Sequence, residues 1–396
     1  MERCILDNGI KLIYSKRNSE LTSITIGLDA GAVQDGEHLG IAHATEHMVY
    51  KGTAKRTEAD INKDFSKLFG FSNAMTNYPY VIYYGSLLFE DFEKGIELFS
   101  DVLMNAAFPK EGFKEEMDVI IQELNEWDEE LDQYCEDKLF FNGFNTSRLK
   151  YPIIGRVDSL NNLTLENIRE FYNKYNSPKN TSIAVVSSLE FAEVKAIVSK
   201  YFGKWEGNDV TSSQVDKGEM IPKVFRDKRE GNSNCRVQIV YPIKDLNKKE
   251  MQAFKIFNEF FGEGINSKLF DELRTKNGLV YDVLTKIAYE KHIGLYKIMF
   301  STSKEKVDKA LELINAAIYN IEMFSDEKID EYLKSIRLKK LFREEQSIIL
   351  SKELASFSVM FDDVNLYTDT IEKMDSKFIY DTAKKVLKNP SIEIIS

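Results

Sequence analysis

The chain has 396 residues and a mass of 45.7 kDa; 43% of its residues are hydrophobic and 30% charged, the balance of a soluble globular protein with room for two domains. A formal charge of −11 and a pI near 5.2 argue against a general nucleic-acid binder, which needs a basic face to neutralise phosphates. No apolar run approaches a membrane span and the first residues lack the apolar stretch of a signal peptide, so the expectation is a cytoplasmic protein with no membrane and no nucleic-acid partner.

In chain order, Asp7-Asn8-Gly9 is a turn signal and the opening reads as a hairpin, with strand-like runs at 10–14 and 23–28. Helical stretches follow at about 38–50 and 58–68, then strands near 72–76 and 81–88. Helices are expected over roughly 89–106 and 110–140, and again at 165–175. A strand at 181–187 and a helix at 189–201 close the first half. Strands and helices mix without regular alternation, which points to α+β rather than a doubly wound sheet. A polar stretch at 206–234, with Gly207, Gly218, Pro222 and Gly231, reads as a linker between domains at 1–205 and 235–396. Beyond it the outline repeats: a strand at 235–241, helices at 248–261 and 267–276, strands at 279–289 and 295–301, and helices at 304–324 and 325–357. Tyr84-Gly85-Ser86-Leu87-Leu88 echoes Tyr296-Lys297-Ile298-Met299-Phe300, each ahead of a helix pair, which suggests an internal duplication with little residue identity. Cys4, Cys135 and Cys235 are odd in number and far apart, which argues against a disulfide framework or a cysteine metal site.

The most informative residues are His43-Ala44-Thr45-Glu46-His47, in a chain with only four histidines. Positions i and i+4 share a helix face, so His43 and His47 can bind one metal ion through neutral imidazoles. Glu46 sits beside them, able to take a proton from a metal-bound water, and H-x-x-E-H is the inverted form of a zinc-peptidase motif. A catalytic zinc site needs a third protein ligand. The helix from Lys110 offers Glu116 and Glu123, seven apart and on one face, with backbones about 10 Å apart along the axis. Spacing alone leaves the choice between them open. His38, next to Glu37 in a loop before the helix, reads as solvent-exposed, His292 has no partner spacing, and Tyr78, Tyr80, Tyr83 and Tyr84 read as a core strand before a substrate groove.

Gly40-Ile41-Ala42-His43-Ala44-Thr45-Glu46-His47-Met48-Val49-Tyr50-Lys51-Gly52-Thr53 resembles the active-site helix of the pitrilysin (insulinase) family of zinc peptidases, in the branch of the mitochondrial processing peptidase and its bacterial relatives. The resemblance continues through Phe71–Thr76, Glu116–Glu123, Tyr151–Gly155 and Ser267–Tyr281, in the family's order. It implies two structurally related α/β domains, each a mainly antiparallel sheet packed with helices. It also implies Zn2+ held by His43, His47 and Glu123, Glu46 as general base, and Glu116 as a supporting carboxylate. Arg274 and Tyr281 match a family pair that addresses the substrate carbonyl and its developing oxyanion. Asn73, Ala74 and Thr76 match an edge strand that pairs with an extended peptide substrate. The activity implied is that of a metalloendopeptidase acting inside a dimer chamber. With both half-sites in one chain, a homodimer is the expectation and a heterodimer with a related chain the alternative. The rival reading is an inactive family member serving as a structural or partner subunit.

Overall fold

The structure, a computed structural model, describes residues 1–207, 209–210, 218–231, 234–364 and 371–396. The expected linker therefore lies partly outside the described residues, at 208, 211–217 and 232–233. The chain forms two compact units, and neither is one consecutive stretch. The first comprises Met1–Glu126, Tyr151–Gln214 and Phe342–Asp369, the second Trp127–Lys150, Val215–Leu341 and Thr370–Ser396. Each is a sheet with helices packed on it, so the fold is α+β, as the element pattern implied.

In the first unit β1 (Glu2–Ile5), β2 (Lys11–Lys16), β3 (Leu21–Leu28), β4 (Phe69–Thr76), β5 (Val81–Leu88) and β6 (Thr181–Ser187) make one sheet in the order β1-β2-β6-β3-β5-β4. Only β2 and β6 run parallel. The turn at Asp7–Gly9 joins β1 to β2 in the expected opening hairpin, and the runs at 10–14 and 23–28 are not neighbours, because β6 lies between β2 and β3. The reason is burial: Leu12, Ile13 and Tyr14 are covered on both faces of the sheet, which requires an interior strand.

The second sheet contains β7 (Val224–Asp227), β8 (Cys235–Pro242), β9 (Val283–Glu290), β10 (Ile293–Thr302) and β11 (Ser391–Ile395), ordered β7-β11-β8-β10-β9, with β7 and β11 parallel. Laid beside β2-β6-β3-β5-β4, every neighbour, direction and chain order corresponds. The echoing segments Tyr84–Leu88 and Tyr296–Phe300 fall on matching strands, β5 and β10, each next to an edge.

The first five α-helices are α1 (Ile41–Met48), α2 (Glu58–Leu68), α3 (Phe92–Met104), α4 (Phe113–Glu129) and α5 (Leu131–Gly143). The single helix expected over 110–140 is two, broken at Glu130, whose ψ of 106° leaves the helical region. The stretch 325–357 likewise divides into Asp326–Glu344 and Ser347–Phe361, broken at Gln346 with ψ 105°. After each break the helix covers a sheet built by the other half of the chain. α5 lies on the second sheet, where Asp132 pairs with Arg236 at 2.7 Å, Glu136 with Lys297 at 2.7 Å, and Asn142 donates to Glu393 at 2.9 Å. The Ser347–Phe361 helix lies on the first sheet. Its Ser347, Ser351 and Ser358 hydroxyls each meet a strand hydroxyl, Ser23, Thr25 and Ser182, at 2.8 Å. Leu350, Leu354 and Ala355 pack there with Ile13, Ala184 and Val186.

Candidate metal centre

Local sequence fixes where α1 begins. Gly40 caps it at φ 93°, a conformation that side chains resist. A Cβ there would come within 2.2 Å of the Ile154 carbonyl oxygen, and one on Gly155 within 2.5 Å of the Leu39 carbonyl oxygen. Two glycines thus let two backbones touch and set the helix start. The buried Asp35 carboxylate accepts from the Gly40 and Ala42 N–H groups at 2.7 and 3.1 Å, satisfying donors the first turn leaves free. Ile41, Ala42, Ala44 and Met48 anchor α1 in the core. α4 buries Glu116, Met117, Ile120 and Leu124 along one side.

These two helices bring His43, His47 and Glu123 together, with one ligand atom of each lying within 4.8 Å of the others. The Nε2 atoms of His43 and His47 stand 3.8 and 3.5 Å from Glu123 Oε2, and the two rings meet edge-on at 4.6 Å. This is the one group of three potential ligands of this kind among the described residues. Glu116 stands on the other side of His47, its Oε1 2.8 Å from Nδ1, so it orients the ring from outside the converging set. The geometry thus separates the two glutamates that spacing left equivalent.

The electrostatics fit a divalent cation. Burial, reinforced by the charge of His47, holds His43 below the ordinary histidine range, leaving a neutral imidazole with a lone pair to offer. His43 Nδ1 is buried with no hydrogen-bond partner among the described residues. At His47 burial opposes the charged form, but the bonds to Glu116 and Glu123 outweigh it and push the pKa up to about 9. A metal at Nε2 would replace that proton. Glu116 is drawn down to about 2 by the His47 bond, with Lys51 adding to the pull against burial. A two-histidine, one-carboxylate donor set suits zinc.

Glu46 lies on the same helix, almost wholly buried. Burial raises its pKa, and the Thr76 hydroxyl, donating to Oε2 at 2.6 Å, opposes the rise. Thr76 ends β4, whose only strand partner among the described residues is β5; the other edge of β4, carrying Asn73 and Ala74, is open. Thr76 itself points to Glu46. In the second unit the Arg274 guanidinium lies 4.8 Å from the ring centre of Tyr281 and 5.0 Å from that of Phe270. Arg274 belongs to a widened helical turn, Asp271–Thr275, and Tyr281 is 83% exposed. His38 is exposed, and Tyr78, Tyr80, Tyr83 and Tyr84 are buried. Sequence reasoning did not find Asp35, Lys51 or the Thr76–Glu46 bond. Only Lys51, four residues after His47, carried a helical-spacing signal.

Two family models match the chain. Residues 12–156 match Insulinase (Peptidase family M16), and residues 162–336 match the Peptidase M16 inactive domain. Together they span well over half of the sequence. The chain belongs to the M16 peptidase family. M16 relatives include the uncharacterized zinc protease YmxG of Bacillus subtilis, 23% identical over 81% of this chain and 78% of the relative. The probable mitochondrial-processing peptidase subunit beta of Arabidopsis thaliana is 27% identical over 54% of this chain and 41% of its own length. The crystal structure of a protease from Helicobacter pylori superposes with a TM-score of 0.89 at 18% identity, covering 100% of this chain and 99% of that one. The peptidase M16 inactive domain from Pseudomonas fluorescens gives a TM-score of 0.88 at 16% identity, covering 100% and 97%. Zinc protease is the name of such relatives, and the two structures give the fold. No helix among the described residues is long and apolar enough to cross a membrane.

Proposed function

We propose that the protein is a zinc-dependent metalloendopeptidase with an inverted H-x-x-E-H motif, hydrolysing bonds in peptides or unfolded precursor segments. The observation that carries this reading is the convergence of His43, His47 and Glu123 within 4.8 Å, beside a buried Glu46 held by Thr76. Zinc, when bound, supplies Lewis acidity that makes water a nucleophile at neutral pH. Glu46 takes the proton of the attacking water and returns one to the leaving amine. Its burial supports this role, since a carboxylate kept from solvent is a stronger base than an exposed one. Glu116 fixes the His47 ring. The open edge of β4 at Asn73 and Ala74 offers backbone groups to an extended peptide. Arg274 and Tyr281, stacked and exposed, present a cation and a hydroxyl suited to a carbonyl oxygen. A cytoplasmic homodimer enclosing the chemistry is part of the same reading, with a heterodimer as the alternative.

The rival is an inactive chain acting as a partner subunit, favoured by the inactive-domain descriptions. The matching model for that domain covers residues 162–336, which contain none of His43, Glu46, His47, Glu116 or Glu123. Cleavage of a mixed peptide pool tests the choice. Wild-type protein should cut, Glu46→Gln should bind zinc and not cut, and chelation should silence the wild type. A zinc-loaded wild type that cuts nothing in the pool would count for the partner-subunit reading.

A further inference from the structure

Lys51 is a charged side chain beside the metal centre, in contact with Glu116. It ends the turn Val49–Lys51 that extends α1, four residues after His47, and so leaves the helix on the face of that imidazole. Its ammonium forms an ion pair with Glu116 Oε2 and a second with Glu58 Oε1 at 2.8 Å. The pair is mostly out of solvent, with the Lys51 and Glu116 side chains 17% and 12% exposed. The backbone that delivers Lys51 is fixed just beyond it. The Gly52 carbonyl accepts the Ala107 N–H at 2.9 Å, and the Thr53 hydroxyl donates to Asp101 at 2.8 Å. Arg56 then ties Asp64, Glu97 and Asp101 together.

We propose that Lys51 is a positioning residue of the metal centre: it clamps Glu116 so that this carboxylate holds His47 with Nε2 turned toward the ion. Each Glu116 oxygen has one strong partner, His47 Nδ1 on Oε1 and Lys51 on Oε2. Removing the ammonium leaves a buried carboxylate oxygen unpaired, and the carboxylate then rotates toward other donors and releases the imidazole. Outer partners of this kind set ligand orientation and basicity in metal sites. Simple electrostatics makes the opposite prediction, because a cation beside the site repels a divalent ion and its loss would tighten binding. The sign of the change in metal affinity separates the two.

The inference rests on the metal site of the proposed function and not on peptide cleavage. Its test is zinc affinity, by competition against a chromogenic chelator, for the wild type, Lys51→Met, Lys51→Arg, Glu116→Gln and the Lys51→Met/Glu116→Gln double variant. Lys51→Met should bind zinc about 10–100-fold more weakly, the usual loss for an outer-shell partner. Lys51→Arg should recover most of the affinity, because a guanidinium can also span two carboxylates. In the Glu116→Gln background, Lys51→Met should add no more than about twofold, since the two act through one contact. Unchanged or tighter zinc binding by Lys51→Met, or full additivity with Glu116→Gln, overturns the proposal. Thermal unfolding without metal checks each variant's fold, and Lys51→Gln carries the same test if Lys51→Met does not fold. A wild type that binds zinc and cuts no peptide would sink the peptidase reading alone, whereas one that binds no zinc would sink both.

Discussion

Glu46 is a buried carboxylate, and its hydrogen bond to the Thr76 hydroxyl is short at 2.6 Å. A hydrogen bond to a charged group contributes about 1.5–3 kcal/mol, so Thr76→Val should lower kcat by roughly 10–100-fold. Because Thr76 touches the base and none of the three ligands, KM and zinc affinity should stay near wild type, and Thr76→Ser should restore the rate. Steady-state kinetics with a peptide cut by the wild type decide this; full kcat in Thr76→Val would remove Thr76 from the machinery. At this scale legibility follows distance along the chain. His43, Glu46 and His47 are readable because helix periodicity alone puts them side by side. Thr76 lies thirty residues from Glu46 on a strand, and Lys51 meets its target Glu116 on another helix. No local pattern announces either contact. Glu116 and Glu123 were equivalent by spacing, and only the packing of α4 against α1 gives them different neighbours.

The elements hardest to read were the two helices that follow a break, because neither Glu130 nor Gln346 is a helix breaker by type. α5 also flanks its short buried stripe of Cys135, Leu139 and Gly143 with polar contacts to its sheet from Asp132, Glu136 and Asn142, which blur the apolar pattern that announces burial. That polar contact has a pH signature. On β11, burial pushes the Glu393 carboxyl up to about 7, the Asn142 hydrogen bond opposing and Asp227 adding to the rise. On α5, burial lifts Asp137 to about 7 against the bonds from Gln133 and Trp127, with Glu136 adding to it. Both folded values exceed the unfolded ones, so the folded state binds the extra protons. The resulting stability is complete below about pH 4 and is lost as the pH rises through about 7. The second unit should therefore unfold at a temperature a few degrees lower at about pH 8 than at about pH 5. Glu393→Gln and Asp137→Asn should each flatten that dependence, measured by thermal unfolding across the range. A slope the variants leave unchanged would assign it to other groups.

For the whole molecule, matching topology in the two sheets makes the internal duplication plain, while the helix exchange sets what each half of the chain can do alone. Sequence patterns carry strand and helix periodicity, but which sheet a helix covers is decided by tertiary packing that no single segment encodes. The first sheet needs the Ser347–Phe361 helix. Leu350, Leu354 and Met360 are buried there beside Ile13, Ala184, Val186, Ile82 and Tyr84. Burying three such side chains contributes roughly 4.5–9 kcal/mol, comparable to the whole stability of a domain at about 5–15 kcal/mol. Without that helix the Ser23, Thr25 and Ser182 hydroxyls also lose their partners. A fragment of residues 1–205 holds all three ligands and Glu46 but lacks this cover. It should bind an apolar dye, melt without cooperativity, and hold zinc at least tenfold more weakly than the full chain. A peptide of residues 342–364 added in trans should restore a cooperative transition, because it supplies the missing face. If fragment 1–205 instead melts cooperatively and holds zinc as tightly as the full chain, the helix is an accessory to the first unit and the exchange carries little of its stability.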